Sequence, residues 1–180
     1  MKKNTSLELA ILGLLTQGPL HGYEIRKRVT LILGPFRAIS FGSLYPELKR
    51  LSLINFIEEK EGKTERGLTK RAKISYQITP NGTERLNFLL KSSGPETWED
   101  DTFTTYLSFF AKTASNVRLQ ILQGRKVRLQ EKINLLQEQL TRTDQQLDSY
   151  NLKLKNYNID SVKREIKWID ELISSERKEL

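Results

Sequence analysis

Apolar residues recur at helical spacing in three short segments at the start of the chain. The first segment begins near Ser6 and ends at Gly18-Pro19, a pair that commonly terminates a helix. The second runs from His21 to Gly34-Pro35, and the third covers residues 43–53. Three short helices in close succession, the third entered through a glycine, predict a helix-turn-helix.

The third helix has an apolar stripe formed by Leu44, Leu48 and Leu51. Ser43 is placed as its N-cap, so that Pro46 falls within the first turn. An apolar back with a polar, basic front suits a helix that lies in a DNA groove, although an ordinary amphipathic helix gives the same pattern. The candidate groove and phosphate contacts are Ser43, Tyr45, Lys49 and Arg50.

Two strand patterns follow the third helix and enclose a basic loop. Residues 54–59 form the first, and in residues 73–78 polar and apolar side chains alternate, as in a half-buried strand. Two strands around a basic loop predict a winged helix, with residues 57–78 as a wing along the DNA backbone. A solubilising hairpin loop is the alternative. The candidate wing contacts are the cations Lys63, Arg66, Lys70, Arg71 and Lys73.

A fourth helix begins at Thr79-Pro80 and ends before Ser92-Ser93-Gly94-Pro95. This break predicts a winged helix-turn-helix DNA-binding domain over residues 1–93 and a helical domain over residues 94–180. The predicted fold class is mainly α: an α+β winged helix-turn-helix, then an all-α dimerisation domain that contains a long coiled-coil-like helix.

The second half carries a heptad pattern. From Leu122 to Tyr157 apolar positions recur at spacings that fit about five heptads, which predicts one long helix. Residues 156–158 predict a break, after which a last helix folds back as an antiparallel hairpin. A second copy would cover the remaining apolar surface, although an intramolecular bundle is the alternative. The candidate dimerisation residues are Leu122, Leu129, Ile133, Leu136, Leu140, Leu147, Leu154, Ile166, Ile169 and Ile173.

Aromatic side chains are concentrated just after the predicted boundary. Such residues can line an apolar pocket for a flat ligand, but at helical spacing they also form ordinary core. The sequence gives no ionisable cluster that would identify an effector. The candidate pocket residues are Trp98, Phe103, Tyr106, Phe109, Phe110 and Trp168.

Charge separates the two halves. Residues 1–95 carry 16 Lys and Arg against 8 Asp and Glu, whereas residues 96–180 carry 14 of each, so the whole net charge of +8 lies in the first half. A basic half next to a neutral one predicts that the first half binds a polyanion.

Several classes of function are disfavoured. The chain has no cysteine, and its one histidine, His21, has no partner for catalysis or metal binding, so we interpret it as a turn residue. The sequence contains neither a catalytic cluster nor a phosphate-binding glycine loop, so it does not predict an enzyme. Neither a metal nor a cofactor is expected. No apolar run is long enough to span a membrane, and no signal peptide is evident, so we expect a cytoplasmic protein.

Four motifs follow one another in the first half: Ile11-Leu12-Gly13-Leu14-Leu15, then residues 18–25, residues 42–51 and residues 76–82. In this order and spacing they resemble the PadR family of winged-helix transcriptional regulators. The resemblance implies dimeric DNA binding with the third helix in the major groove and the wing beside it. It also implies repression relieved by a small molecule or another signal, and it favours a phosphate contact from Tyr23, for which a place in the core is the alternative. The loop 62–71 is longer than is usual for the family.

The sequence therefore predicts a homodimeric repressor that binds a palindromic operator in double-stranded DNA, with an unidentified small molecule as effector. The alternative is a winged-helix adaptor that binds proteins and no DNA. An adaptor leaves the confinement of positive charge to residues 1–95 unexplained.

Overall fold

The computed structural model describes residues 2–33, 41–61, 74–143 and 148–178. The chain forms two compact units. The first comprises Met1–Ser92 and Asp101–Thr113, and the second comprises Ser93–Asp100 and Ala114–Leu180. Division into folding domains at residues 93 and 94 stays a prediction, to which the structure adds that residues 101–113 belong with the first unit.

The first unit is a helical domain with one small sheet. Its three strands lie in the order β1-β3-β2, and both pairs are antiparallel. The predicted winged helix-turn-helix fold is therefore confirmed. Its elements are α1 (Lys2–Leu15), β1 (Leu20–His21), α2 (Gly22–Leu33), α3 (Phe41–Leu53), β2 (Ile57–Glu61), β3 (Ile74–Ile78), α4 (Pro80–Leu90) and α5 (Phe103–Leu107).

Helix α1 is the central element of this unit, because it packs against α2, α3, α4 and α5. Its Leu9, Ile11 and Leu12 are completely buried. Burying one such side chain stabilises a fold by about 1.5–3 kcal/mol, so this helix contributes a large part of the core. The chain leaves α1 through Gly18, whose φ of 132° is accessible to glycine and rare for other residues.

The start of α4 follows the predicted pattern. The hydroxyl of Thr79 accepts a hydrogen bond from the backbone N–H of Gly82 at 3.0 Å, and Pro80 occupies the first helical position, where no N–H is required. The same hydroxyl donates to the carbonyl of Asn55, which lies just after α3. This cap therefore ties α4 to the end of α3.

Helix α3 begins two residues earlier than predicted. It starts at Phe41, so Ser43 lies within the helix and is not its N-cap, and Pro46 lies beyond the first turn. Proline has no N–H to donate to the carbonyl of Gly42, four residues before it. Gly42 is exposed, so water can satisfy that carbonyl and the helix continues through the proline.

The second unit is dominated by a hairpin of two long helices, α6 (Ser115–Thr143) and α7 (Ser149–Lys178). They run antiparallel: Arg118 near the start of α6 pairs with Glu176 near the end of α7 at 2.6 Å, and Lys126 pairs with Asp170 at 2.6 Å. The apolar stripes of the two helices face each other. The buried residues of these stripes are Val117, Ile121, Leu122, Leu129 and Ile133 of α6 and Ile159, Val162, Ile169 and Ile173 of α7.

The prediction of one long helix that breaks at residues 156–158 is wrong, since α7 runs through these residues without interruption. The chain reverses between Thr143 and Ser149. The carboxylate of Asp148 accepts hydrogen bonds from the backbone N–H groups of Tyr150 at 2.9 Å and Asn151 at 3.0 Å, which caps the start of α7. These bonds, with the side chain of Asn151, also lower the pKa of Asp148.

Within the described residues, no helix is both long and apolar enough to cross a membrane.

Candidate nucleic-acid interface

Helix α3 has a fully buried back and an exposed front. Leu44 and Leu48 are completely buried, whereas Ser43, Tyr45 and Lys49 are exposed. The predicted division of this helix into an apolar and a polar face is therefore present in the structure. Three of its four candidate contacts, a hydroxyl, a phenol and an ammonium group, point to the outside of the unit.

The phenol of Tyr45 lies against the first residue of α2. A Cβ atom at Gly22 would stand 3.0 Å from the Tyr45 hydroxyl oxygen and 3.2 Å from its Cε1 atom. The ring can occupy this position because residue 22 has no side chain. Glycine at the start of α2 therefore leaves room for a side chain of α3.

Tyr45 and Tyr23 line the same cleft, which has a volume of about 620 Å³. Tyr23 follows Gly22 directly, and 67% of its surface is exposed. The structure thus brings together two candidate contacts that lie 22 positions apart in the sequence. The complete lining is His21, Gly22, Tyr23, Glu24, Tyr45, Ile74 and Tyr76.

Tyr76 forms the buried wall of this cleft and lies opposite Glu59 of β2 and Leu20 of β1 in the sheet. Burial raises the pKa of its phenol, and Glu59 and Tyr45 raise the pKa further. The phenol therefore stays protonated at neutral pH and remains a hydrogen-bond donor.

His21 connects the sheet to α2. Its backbone N–H donates to the Glu24 carboxylate at 3.3 Å, and its Nδ1 atom lies 3.3 Å from the carbonyl oxygen of Ile74. This position at the end of β1 agrees with its interpretation as a turn residue. Among the described residues, no three His, Cys, Asp or Glu side chains are grouped as metal ligands.

Arg50, the fourth candidate contact on α3, is half-buried and binds two carboxylates of its own chain. Its Nη2 atom lies 2.6 Å from a carboxylate oxygen of Glu8 and 2.6 Å from one of Glu47, while its Nε donates to Glu47 at 3.0 Å. The hydrogen bond to Glu47, opposed by burial and reinforced by the bond to Glu8, raises the pKa of Arg50. The protein's own carboxylates therefore engage this guanidinium, while 37% of the Arg50 side chain stays exposed, and a DNA contact from Arg50 stays a prediction.

The candidate wing cations Lys63, Arg66, Lys70, Arg71 and Lys73 lie outside the described residues. The base of the wing is described: β2 and β3 pair from Ile57 opposite Ile78 to Glu61 opposite Ile74. This register joins the two strands as an antiparallel hairpin, with residues 62–73 connecting them.

Half of the ten candidate dimerisation residues are buried inside the hairpin of the second unit. Leu122, Leu129 and Ile169 are completely buried between α6 and α7, and Ile133 and Ile173 are 6% exposed. These side chains already face a helix of their own chain, so they offer little surface to a partner. Of the others, Leu154 is exposed, Leu136 and Ile166 are half-buried, and the Leu140 side chain and Leu147 lie outside the description.

The candidate effector-pocket residues are divided between the two units. Phe103, Tyr106 and Phe109 are buried in the first unit, where the Phe109 ring lies directly over Gly13, and Phe110 is half-buried there. These buried side chains form core. An effector pocket at the aromatic residues stays a prediction.

The remaining two pocket candidates belong to the second unit. Trp98 packs directly against Gly124 of α6, and 41% of the Trp168 surface is exposed on α7.

Sequence reasoning missed Glu8, Glu47 and Arg85, which form a charge cluster with Arg50 in which the carboxylates are buried and the guanidinium groups are partly exposed. Two features of the sequence pointed to this cluster. Glu47 and Arg50 have the spacing of a helical ion pair, and Glu8 is a single charge within an otherwise apolar stretch of α1. The partners of Glu8 could not be read from either feature, because Arg50 lies 42 residues away and Arg85 lies 77 residues away.

Comparison with known proteins identifies the family. The model of the "Transcriptional regulator PadR-like family" matches residues 11–87. The chain is 34% identical over 130 residues to the negative transcriptional regulator PadR of Bacillus subtilis, a match that covers 69% of this chain and 70% of that protein.

Solved structures are also similar. B. subtilis PadR in complex with operator DNA is 24% identical, with coverage of 94% of this chain and 98% of that one and a TM-score of 0.45. A transcriptional regulator from Clostridium thermocellum is 26% identical, with coverage of 47% and 78% and a TM-score of 0.41. On the family model and the B. subtilis relative, this chain belongs to the PadR-like family of transcriptional regulators.

Proposed function

We propose that this protein is a homodimeric repressor that binds a palindromic operator, with α3 in the major groove and the wing on the phosphate backbone. The observation that carries the proposal is the two-faced character of α3. Its Leu44, Leu48 and Leu51 are fully buried, while the polar Ser43, Tyr45 and Lys49 of the same helix are exposed. A helix that is firmly packed on one face and carries polar groups on the other can be held rigidly in a groove.

Tyr23 extends this surface beyond α3. Its phenol lies in the same cleft as Tyr45, at the start of α2, where backbone N–H groups and the helix dipole favour a phosphate. We assign Ser43, Tyr45 and Lys49 to the groove and adjacent phosphates, and Tyr23 to the DNA backbone. The +8 charge of residues 1–95 supports a polyanionic partner for this unit.

The wing is assigned to the phosphate backbone because of its charge. Residues 62–73 contain the five cations predicted from the sequence, and β2 and β3 join this segment to the unit that contains α3. Such cations contribute affinity without sequence preference.

A dimer presents two copies of α3 about one DNA turn apart, roughly 34 Å, which suits a palindromic site. We assign the interface to the outer face of α7. Tyr150, Leu154 and Tyr157 are 78%, 56% and 62% exposed and recur at spacings of four and three residues, so they form one stripe. Trp168 lies three turns further along the same stripe and is 41% exposed. This assignment replaces the residues that are buried within the hairpin.

Repression is proposed from the family relative, which is described as a negative transcriptional regulator. We further propose that the protein acts in the cytoplasm, where its DNA target would be accessible.

The test is fluorescence-anisotropy binding to the DNA upstream of the protein's own gene, beside a scrambled duplex, at two salt concentrations. We expect tight binding to the upstream fragment alone, weakening steeply as salt rises. Equal weak binding to both fragments calls for selection from genomic fragments, and failure to enrich any sequence would refute specific binding. No binding to either duplex at low salt favours the adaptor.

A further inference from the structure

Two carboxylates of the first unit are buried next to α3. The side chain of Glu8 on α1 is 6% exposed and that of Glu47 on α3 is 4% exposed. Ionised groups are rarely buried so deeply unless they are paired, because they lose the stabilising effect of water. Each of these carboxylates is paired with arginine.

The two oxygens of Glu8 bind arginines from different helices. One oxygen accepts a hydrogen bond from Arg50 of α3 at 2.6 Å, and the other accepts from Arg85 of α4 at 2.6 Å. Arg85 also lies over the ring of Phe88, 5.4 Å from its centroid. Glu8 therefore ties α1 to both α3 and α4 through directed contacts.

Arg50 closes the cluster by binding both carboxylates. Its Nε and Nη2 atoms hold the two oxygens of Glu47, and Nη2 also reaches Glu8. Two carboxylates and two guanidinium groups balance in charge. Apolar packing is non-directional, whereas a guanidinium that grips a carboxylate with two hydrogen bonds fixes distance and angle. The cluster therefore adds directed contacts that restrict the rotation of α3 about its axis more tightly than its buried leucines do by themselves.

From this geometry we infer that Glu8, Arg50 and Arg85 are positioning residues for operator binding: they fix how α3 presents its outer face and act on DNA only through that helix. The inference rests on the proposed function. It also changes the role of Arg50, which the sequence had placed in the DNA site.

Glu8→Gln gives a test in which the change of charge and the loss of positioning have opposite effects on operator affinity. The substitution removes a negative charge from a DNA-binding unit, so electrostatics alone predicts slightly tighter binding. Loss of positioning predicts weaker binding to the operator, by roughly tenfold, the scale of one specific contact, with unchanged affinity for scrambled DNA. Glu84→Gln is the matched control, because it removes the same charge from an exposed position on α4.

Arg50→Lys is the second variant. Lysine keeps the charge and can still contact a phosphate, but it cannot grip Glu47 with two nitrogens while it also reaches Glu8. Positioning therefore predicts loss of operator affinity at an unchanged salt dependence. A direct phosphate contact predicts nearly wild-type affinity.

Both variants are measured by anisotropy on the selected operator and on scrambled DNA, with circular dichroism to establish folding. Operator affinity that falls in Glu8→Gln and Arg50→Lys, but not in Glu84→Gln, supports the inference. A folded Glu8→Gln that binds like Glu84→Gln overturns it, and if Glu8→Gln does not fold, wild-type affinity in Arg50→Lys overturns it. Wild-type protein that distinguishes no DNA sequence would instead overturn the proposed function, and the inference with it.

Discussion

Gly22→Ala should separate the stability of the fold from its binding to DNA. The new Cβ would stand 3.0 Å from the hydroxyl oxygen of Tyr45 and 3.2 Å from its Cε1 atom, both closer than ordinary van der Waals contact. Tyr45 is 42% exposed, and the crowded atoms belong to the end of its side chain. The ring can therefore retreat by about half an ångström without disturbing the core, since such a side chain changes rotamer readily.

The magnitude for folding follows from helix propensity. Residue 22 is the first residue of α2, and alanine is more favourable than glycine in a helix interior by about 0.5–1 kcal/mol. At a helix end the gain is smaller and is offset by the displacement of the ring. Because these two effects oppose each other, we expect the free energy of unfolding to change by less than about 0.5 kcal/mol.

The expected change in operator affinity follows from the hydrogen bond that the Tyr45 phenol would lose. If the Tyr45 phenol hydrogen-bonds to DNA, moving its oxygen should weaken operator binding by about 0.5–1.5 kcal/mol, the net value of one hydrogen bond. The assay is operator anisotropy combined with urea denaturation. Tyr45→Phe is the companion variant, because it removes the hydroxyl without crowding Gly22. If Tyr45→Phe weakens operator binding and a folded Gly22→Ala does not, then Gly22 does not control operator binding through the position of the Tyr45 ring.

Three further predictions concern the wing, the hairpin and the dimer. Lys70→Ala should weaken binding to operator and scrambled DNA alike and reduce the salt slope by about 0.9, as for one phosphate contact; an altered base preference would contradict a wing that only binds the backbone. Arg125→Met should lower the free energy of unfolding by about 1–2 kcal/mol in thermal or urea denaturation, because it removes the guanidinium that binds both Asp100 and Glu165, two carboxylates that stay partly exposed to water; an unchanged melting temperature would contradict this role. Leu154→Glu should convert the dimer to a monomer in light scattering and reduce operator affinity, whereas a stable dimer would exclude the outer face of α7.

The pH dependence of the hairpin provides an independent measurement. Burial opposes the shift, but hydrogen bonds from Lys132 and Arg125 outweigh it and lower the pKa of Asp100 below its ordinary 3.8. A carboxyl with a lowered folded pKa contributes stability that is present above its unfolded pKa and is lost as pH falls through the folded value. Asp100→Asn should therefore reduce stability at neutral pH and flatten its decline in acid. An unchanged acid profile would show that another group controls it.

Much of the first unit was determined by local sequence. The leucine spacing in α3 fixed which face would be buried, because residues three and four apart share one side of a helix. Alternation in residues 73–78 predicted β3, and Gly18-Pro19 and Thr79-Pro80 marked helix ends through their backbone preferences. The partition of charge, which needs no structure, placed the whole net positive charge in residues 1–95, the half to which we assign DNA binding.

The hairpin shows where such patterns stop. The spacing from Leu122 to Tyr157 continues across a chain reversal, because alternating spacings of three and four residues describe a buried stripe without specifying what covers it. The same stripe fits a helix of the same chain or of a second copy. Only tertiary structure showed that α6 and α7 cover each other, with Asp148 starting the second helix.

Arg50 shows the same limit for a single residue. Its sequence position on α3 gave a cation next to a groove-facing surface, which a phosphate or a carboxylate could equally neutralise. Whether a carboxylate of the same chain binds Arg50 depended on Glu8, which is distant in sequence and becomes adjacent only when α1 packs against α3. Sequence determined the helices and their faces because those depend on neighbours along the chain, and tertiary structure decided the partners because those depend on neighbours in space.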